Sequence, residues 1–268
     1  MNSVYSRYIG AVILAPFLIF LFLGGIYLKY GVMILSLLGM HEFYKVIKKK
    51  NVSAISSVGY LLCVIYYITL GKDINYKLIF FLLIITVFVL MCIPVLDIKY
   101  NFIDIGATIL VFLYVAVFFG FIVLVNIKNN GNYLVWLIFI SSWLCDTAAY
   151  YAGRAFGKKK LCPKVSPKKT VEGSIGGVLG SAIACGIFGF IIYSKGITIP
   201  VYHLFIIGIV CGGFCQFGDL AASSIKRYVG VKDYSNLIPG HGGILDRFDS
   251  ILFASVVVYY YLTFIVGI

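Results

Sequence analysis

Between apolar segments at 199–222 and 246–267, the chain turns polar over Ser223-Ser224-Ile225-Lys226-Arg227, Lys232-Asp233, Pro239-Gly240-His241-Gly242-Gly243 and Asp246-Arg247-Phe248-Asp249. Four of its ten acidic residues (Asp219, Asp233, Asp246, Asp249) lie within 31 positions, beside Lys226, Arg227, Lys232 and Arg247. Ionisable groups at the edge of hydrocarbon are costly and by default mark function. Carboxylates beside Lys and Arg, joined by a Gly-rich turn, are what a metal–nucleotide phosphate site requires.

The flanking segments set the fold class. The chain is 62% hydrophobic and 12% charged, where a soluble domain carries about 25% charged residues. Apolar runs near the roughly 20 residues that cross a bilayer fall at 8–28, 31–47, 53–71, 78–96, 103–127, 133–153, 173–194, 199–222 and 246–267. Lipid excludes open sheets, so the chain reads as all-α: a polytopic transmembrane helical bundle of about nine spans, without a separate soluble domain. The first run is long for a signal-peptide core and lacks an A-x-A-like cleavage site, and it reads as a span.

Lys and Arg concentrate on cytoplasmic loops. With the N-terminus cytoplasmic and nine alternating spans, 17 of the 22 fall inside and five outside (Lys29, Lys72, Lys77, Lys128, Lys195). The net charge of +12 is therefore the positive-inside bias plus attraction to anionic headgroups. No basic surface with interleaved aromatics lies outside the membrane, which excludes a nucleic-acid partner. The seven cysteines sit almost entirely in apolar spans without a CxxC and read as packing.

Two unequal regions follow. Residues 1–130 form an N-terminal transmembrane scaffold whose one polar intrusion into a span, His41-Glu42, reads as a brace. It is no zinc-protease motif, since Lys45 stands where HExxH needs its second histidine. Residues 131–268 form the C-terminal transmembrane catalytic region. There Asp146, near the inner end of the sixth span, must face the interior or pair with a cation. Ser166, Lys168 and Lys169 precede a helix that Thr170 or Ser174 can cap, a plausible phosphate grip or an ordinary positive-inside loop. Gly173, Gly176, Gly177 and Gly180 follow no strand, so they read as close helix packing rather than a dinucleotide loop.

Asp219, Ser223 and Lys226 share a helix face at i, i+4 and i+7, and Asp246 and Asp249 face together at i, i+3 with Arg247 adjacent. The glycines around His241 allow a tight loop whose amides could approach phosphate. Asp219 and Asp246 suit a magnesium ion, which takes one or two carboxylates plus substrate phosphates. The structural alternatives are an interhelical ion pair, such as Asp246 with Arg227, or a helix N-terminal acid.

The segment Ser223–Asp249 resembles the signature of the phosphatidate cytidylyltransferase (CDP-diacylglycerol synthase) family: Ser-x-apolar-Lys-Arg, four residues, Lys-Asp, a Pro-x-His-Gly-Gly turn, then apolar-x-Asp-Arg-apolar-Asp. Asp146–Gly157 and Ser166–Gly177 are similar to the same family, so the resemblance covers about the C-terminal half. It implies transfer of the cytidylyl group of CTP to phosphatidic acid, giving CDP-diacylglycerol and pyrophosphate for phospholipid biosynthesis. The implied catalytic residues are Asp219, Lys226, Arg227, Asp246 and Asp249, with Asp219, Asp246 and Asp249 on Mg²⁺ and a second, monovalent cation as an option. Ser166, Lys168, Lys169, Ser174, Ser223, His241, Arg247 and Asp146 would bind substrate. The partners are CTP, phosphatidic acid and the bilayer, with a homodimer left open. The expected location is a bacterial inner membrane with the site facing the cytoplasm. Two other readings are a CTP-using enzyme acting on an ether lipid or polyprenol, and a transporter. The second is disfavoured because the acids cluster at one membrane side and no internal repeat exists.

Overall fold

The computed structural model describes residues 17–71 and 76–268, so part of the expected 8–28 span lies outside the described residues. Residues 17–23 are helical, and the chain breaks at Gly24 and Gly25, whose φ values of 62° and 53° fall in the left-handed region. Helix α1 (Gly25–Ile47) starts there, several residues before the boundary expected from hydropathy. Lys29, expected in a connection between two spans, is therefore inside α1. Its Nζ donates to the carbonyls of Leu70 (2.6 Å) and Ile68 (3.3 Å) at the end of α2 (Ser56–Thr69). A helix C-terminus has unpaired carbonyls and negative dipole charge, which suits an ammonium group.

Helix α3 (Tyr76–Leu96) leads to α4 (Phe102–Ile127). Asn101 caps α4, and Asn101 and Asp104 form a reciprocal capping box. Asp104, only 1% exposed, also accepts from the Ser53 amide, while Thr108 Oγ1 accepts from the Ile55 amide at 2.8 Å. These bonds tie the connection before α2 to the first turns of α4, so this buried acid has a structural role. A π turn widens α4 at Phe112–Val117. Within it, the Ala116 carbonyl accepts from the buried Tyr67 hydroxyl (3.2 Å), which also bonds Ser36 Oγ (2.7 Å).

The remaining elements are α5 (Gly131–Phe156), β1 (Lys160–Cys162), β2 (Ser166–Thr170), α6 (Val171–Tyr193), α7 (Val201–Val229) and α8 (Leu245–Val266). The polar connection expected as a loop is an antiparallel ribbon with Lys160 opposite Thr170 and Cys162 opposite Ser166, so a short strand does precede the glycines of α6, contrary to expectation. Pro167 is tolerated because a two-stranded ribbon has only edges. Apart from that ribbon the fold is helical, as expected. Two compact units form, Met1–Leu124 with Val229–Asp246, and Val125–Tyr228 with Arg247–Ile268.

Among the described residues, six helices (α3 to α8) are long and apolar enough to cross a membrane, which makes this an integral membrane protein. Helix α1 is long enough but carries Lys29, His41, Glu42 and Lys45, and α2 has only 14 residues.

In the second unit, α5 and α6 pack through the small residues that the sequence pointed to. A Cβ on Gly176 would fall 2.3 Å from Ala152 Cβ, and one on Gly180 2.3 Å from Ala148 Cβ. Such backbone proximity is how helices associate where lipid removes any hydrophobic drive between them. Gly176→Ala is expected to lower stability by about 1–3 kcal/mol through overpacking, read as a lower thermal midpoint in detergent. Gly213→Ala, whose new methyl meets nothing within 4 Å, should leave that midpoint unchanged or slightly raised.

Candidate active site

The close α5–α6 contact places three elements around one cavity. Thr170 ends β2 and caps α6, its Oγ1 accepting from the Gly173 amide at 3.1 Å. Of the two cap candidates, Thr170 is the one in place. Glu172, in the first turn of α6, accepts from the Lys158 (3.0 Å) and Lys159 (3.2 Å) amides and so fixes the connection between α5 and the ribbon. With both ends held, β2 presents Lys168 and Lys169 beside the start of α6.

The cavity encloses about 400 Å³ and is lined by Asp146, Arg154, Lys168, Lys169, Ser174 and Asp219, among others. Lys169 forms an ion pair with Asp219 Oδ2. The other oxygen of Asp219 accepts from Ser223 Oγ at 3.2 Å, one turn along α7, as the i, i+4 spacing predicts. Asp146, Asp219 and Asp249 lie close enough to feel one another's charge. Against them stand Lys169 and Arg247, which face Asp146, and Lys226, which faces Asp249. Asp146 also hydrogen-bonds Ser250, and Asp249 Oδ1 accepts from the Ser250 amide at 2.8 Å. Lys226 and Asp249 are buried, at 8% and 9% exposure. Two opposite charges held out of water need each other far more than a surface pair does.

Other predicted residues stand apart from this cluster. Arg227 is exposed, and its Nε donates to the Val165 carbonyl (3.3 Å) beside the ribbon. Ser166 is half-buried in β2 and does not line the cavity.

Asp246 and His241 belong to the first unit with the segment 229–246. Asp246 Oδ2 accepts from the Tyr234 (2.8 Å) and Gly243 (2.9 Å) amides. The His241 amide donates to Ile238 and the Ile238 amide to Gly242, closing the turn on itself. The amides of His241 and Gly243, expected to approach a phosphate, are thus engaged within their own loop. The Nδ1 of His241 lies 3.4 Å from the Pro239 carbonyl.

Spacing did not reveal every lining residue. Arg154 and Tyr150 project into the cavity from the last turns of α5. Gln216, 7% exposed, donates to the Ser174 and Gly212 carbonyls at 3.0 Å each and lines the same cavity. An amide inside an apolar helix, three residues before Asp219, was its one available signal.

The donor set can be tested against the magnesium ion that the resemblance implies. Carboxylate oxygens suit a hard cation, which keeps several waters and needs only one or two protein ligands beside substrate phosphates. Asp219, alone or with one of Asp249 and Asp146, would meet that requirement. Among the described residues no group of three or more His, Cys, Asp or Glu side chains forms a ready-made metal cage, so the fit is to a cation shared with substrate.

The sequence is 41% identical to a phosphatidate cytidylyltransferase of Staphylococcus saprophyticus over 155 residues, 58% of each chain. It is 38% identical to the enzyme of that name from Bacillus subtilis over 166 residues, 61% of this chain and 60% of the relative. A Staphylococcus haemolyticus protein of the same name is 39% identical over 155 residues, again 58% of each. The chain thus spans about three fifths of the length of these curated relatives. The sequence model of the cytidylyltransferase family matches residues 5–265, and the chain accordingly belongs to that family.

Proposed function

We propose that the protein transfers the cytidylyl group of CTP to phosphatidic acid, releasing pyrophosphate and leaving CDP-diacylglycerol in the membrane. The observation that carries this reading is the cavity between α5, α6 and α7, where Lys168, Lys169 and Arg154 meet Asp146 and Asp219. It joins cationic phosphate ligands, from the ribbon and the last turn of α5, to carboxylates carried by the apolar helices α5 and α7. Family membership supports the reaction class, and the relatives' names support phosphatidate as acceptor.

In the reaction, a phosphate oxygen of phosphatidic acid attacks the α-phosphorus of CTP. The bond from that phosphorus to the bridging oxygen breaks, and pyrophosphate leaves with the electron pair. The nucleophile is already an anion, so no strong base is required. The barrier is the approach of two polyanions, and pre-placed cations lower it. Lys169, held by Asp219, and Lys168 and Arg154 on the cavity wall would neutralise the triphosphate. Lys226, balanced by Asp249, adds a buried positive charge beside Asp219, and the role of Arg227 is proposed on the signature alone. A bound magnesium ion would supply Lewis-acid neutralisation of the phosphate oxygens. Asp219, with Asp249 or Asp146, would hold it. The metal role of Asp246 is proposed on the signature alone.

The proposal keeps residues 131–268 as the chemical region and 1–130 as scaffold, and it needs one copy of the chain. It also keeps nine spans in a bacterial inner membrane, with a cytoplasmic N-terminus and a site on the cytoplasmic side. The lysine and arginine asymmetry supports this topology, and so does Lys29, which binds the end of α2 that the asymmetry assigns to the outer side. A reporter active only outside the membrane, fused after Ile268, is expected to be active. Activity instead from a cytoplasm-only reporter there would refute the nine-span count.

The chemistry is tested by incorporation of labelled CTP into a lipid-extractable product with phosphatidic acid and Mg²⁺. Asp219→Asn should lower turnover at least about 100-fold, as loss of a preorganised charged group does. Near-wild-type turnover would sink the assignment. Lys169→Ala should raise the KM for CTP about tenfold, equivalent to about 1.4 kcal/mol. Labelling of a polyprenyl phosphate in preference to phosphatidic acid would redirect the acceptor.

A further inference from the structure

We propose that Glu42, in the N-terminal helix α1, is a positioning residue for the signature turn and for Asp246. The inference rests on the cytidylyltransfer reading for its effect on turnover, and on the geometry alone for its effect on the turn.

Glu42 is 3% exposed and lies at the wall of a cavity that His41, Lys45, Lys49, Lys232 and Asp233 also line. A carboxylate there requires hydrogen-bonding partners, and all the named ones come from the segment that carries the signature. Its Oε1 accepts from the Ser235 hydroxyl (2.6 Å) and the Ile244 amide (2.9 Å), and its Oε2 from the Leu245 amide (3.0 Å). The preceding amide, Gly243, donates to Asp246 Oδ2. Three successive amides at the start of α8 are therefore claimed by two carboxylates, one delivered from about 200 residues upstream.

These amides are the unpaired donors of a helix N-terminus, a place that attracts anions. Glu42 fills that place from within, which removes the Ile244 and Leu245 amides as substrate ligands and makes them an anchor. Gly243 shows how tight the anchor is, because a Cβ there would lie 2.5 Å from Glu42 Oε2 and 2.6 Å from Oε1. The carboxylate lies against bare backbone, and no side chain fits between them. Gly242, with φ of +84°, likewise brings its α-carbon against Asp246, where a Cβ would lie 2.9 Å from Oδ2.

Packing repeats the message. A Cβ on Gly39, one turn before Glu42, would lie 3.1 Å from Leu245 Cδ2, and the Phe43 ring packs tilted, 5.8 Å between centroids, against Tyr234, whose amide donates to Asp246. Helix α1 thus grips both ends of the turn, and Glu42 is the charged point of that grip. Its substitution should leave the CTP cavity, built from other elements, intact.

The test uses the full-length purified protein as wild type, Glu42→Gln and Glu42→Asp. Amide hydrogen exchange is followed over 234–246 and over α6 (Val171–Tyr193), and CTP transfer to phosphatidic acid is measured in parallel. Glu42→Gln sets an amide N–H₂ against backbone N–H groups, so exchange at Gly243, Ile244 and Leu245 should rise at least about tenfold. Exchange over α6 should not change, which reports the folded fraction. Turnover should fall at least about tenfold with the KM for CTP within twofold of wild type. Glu42→Asp keeps the charge but is one methylene short, and should rescue part of both losses. If Glu42→Gln does not accumulate folded, Glu42→Asp carries the test alone, with exchange and turnover each expected to change at least about threefold.

Unchanged exchange over 243–245 in a folded variant overturns the anchor. Raised exchange with turnover within twofold overturns its role in the reaction. Absence of transfer by the wild type would refute the cytidylyltransfer reading instead, and the exchange result would still decide the anchor.

Discussion

An ion pair between Lys169 and Asp219 joins the ribbon before α6 to the middle of α7, and the geometry of the cavity follows from it. Both side chains are only half-buried, at 24% and 30% exposure, yet an isolated charge at the edge of hydrocarbon is costly. Removing one member of such a pair strands the other, so the pair constrains both elements together. The Thr170 cap and the bonds from the Lys158 and Lys159 amides to Glu172 hold the ribbon's other side. Lys169 is thereby aimed by backbone on one side and by a carboxylate on the other. Small residues at Gly173, Gly176 and Gly180 let α5 approach closely enough for Asp146 and Arg154 to line the same space.

Much of this was legible in the sequence because it follows from periodicity. Asp219 and Ser223 four residues apart on a helix had to share a face, and they hydrogen-bond. Glycines four apart in an apolar run meant helix contact, and α5 and α6 meet there. The helical fold followed from the absence of water to satisfy any other backbone. Relations between distant segments were not legible. Nothing local to Lys169 says that its partner lies 50 residues on, and nothing local to Glu42 points to amides at 244 and 245. Hydropathy also misplaced the start of α1. It averages over the glycine pair at 24–25, where the backbone turns left-handed, and it counts Lys29 as a loop residue although the end of α2 satisfies it inside a helix.

Two kinds of acid are present, and their surroundings separate them. Asp104, Glu172 and Glu42 accept from backbone amides at helix starts or connections. Asp146, Asp219 and Asp249 face other ionisable side chains. The first group offsets the unpaired donors that every helix start leaves and shapes the chain. The second pairs with cationic side chains, Lys169 with Asp219 and Lys226 with Asp249. Asp246 accepts from amides through Oδ2, and by its surroundings it belongs with the first group.

The charge balance of the second group bears on the chemistry. Its three carboxylates stand against three cations, Lys169, Lys226 and Arg247, so the cluster alone offers little net attraction for the triphosphate and lipid phosphate of the proposed reaction. Lys168 and Arg154 on the cavity wall add positive charge, but the carboxylates would repel the incoming phosphates at close range. With three of the five cations offset by carboxylates, binding of polyanions through the remaining two alone is weak. It becomes favourable once a divalent cation comes with the nucleotide, since the same carboxylates then attract rather than repel. The acids, and not the more numerous bases, are therefore the feature that argues for a metal-assisted transfer.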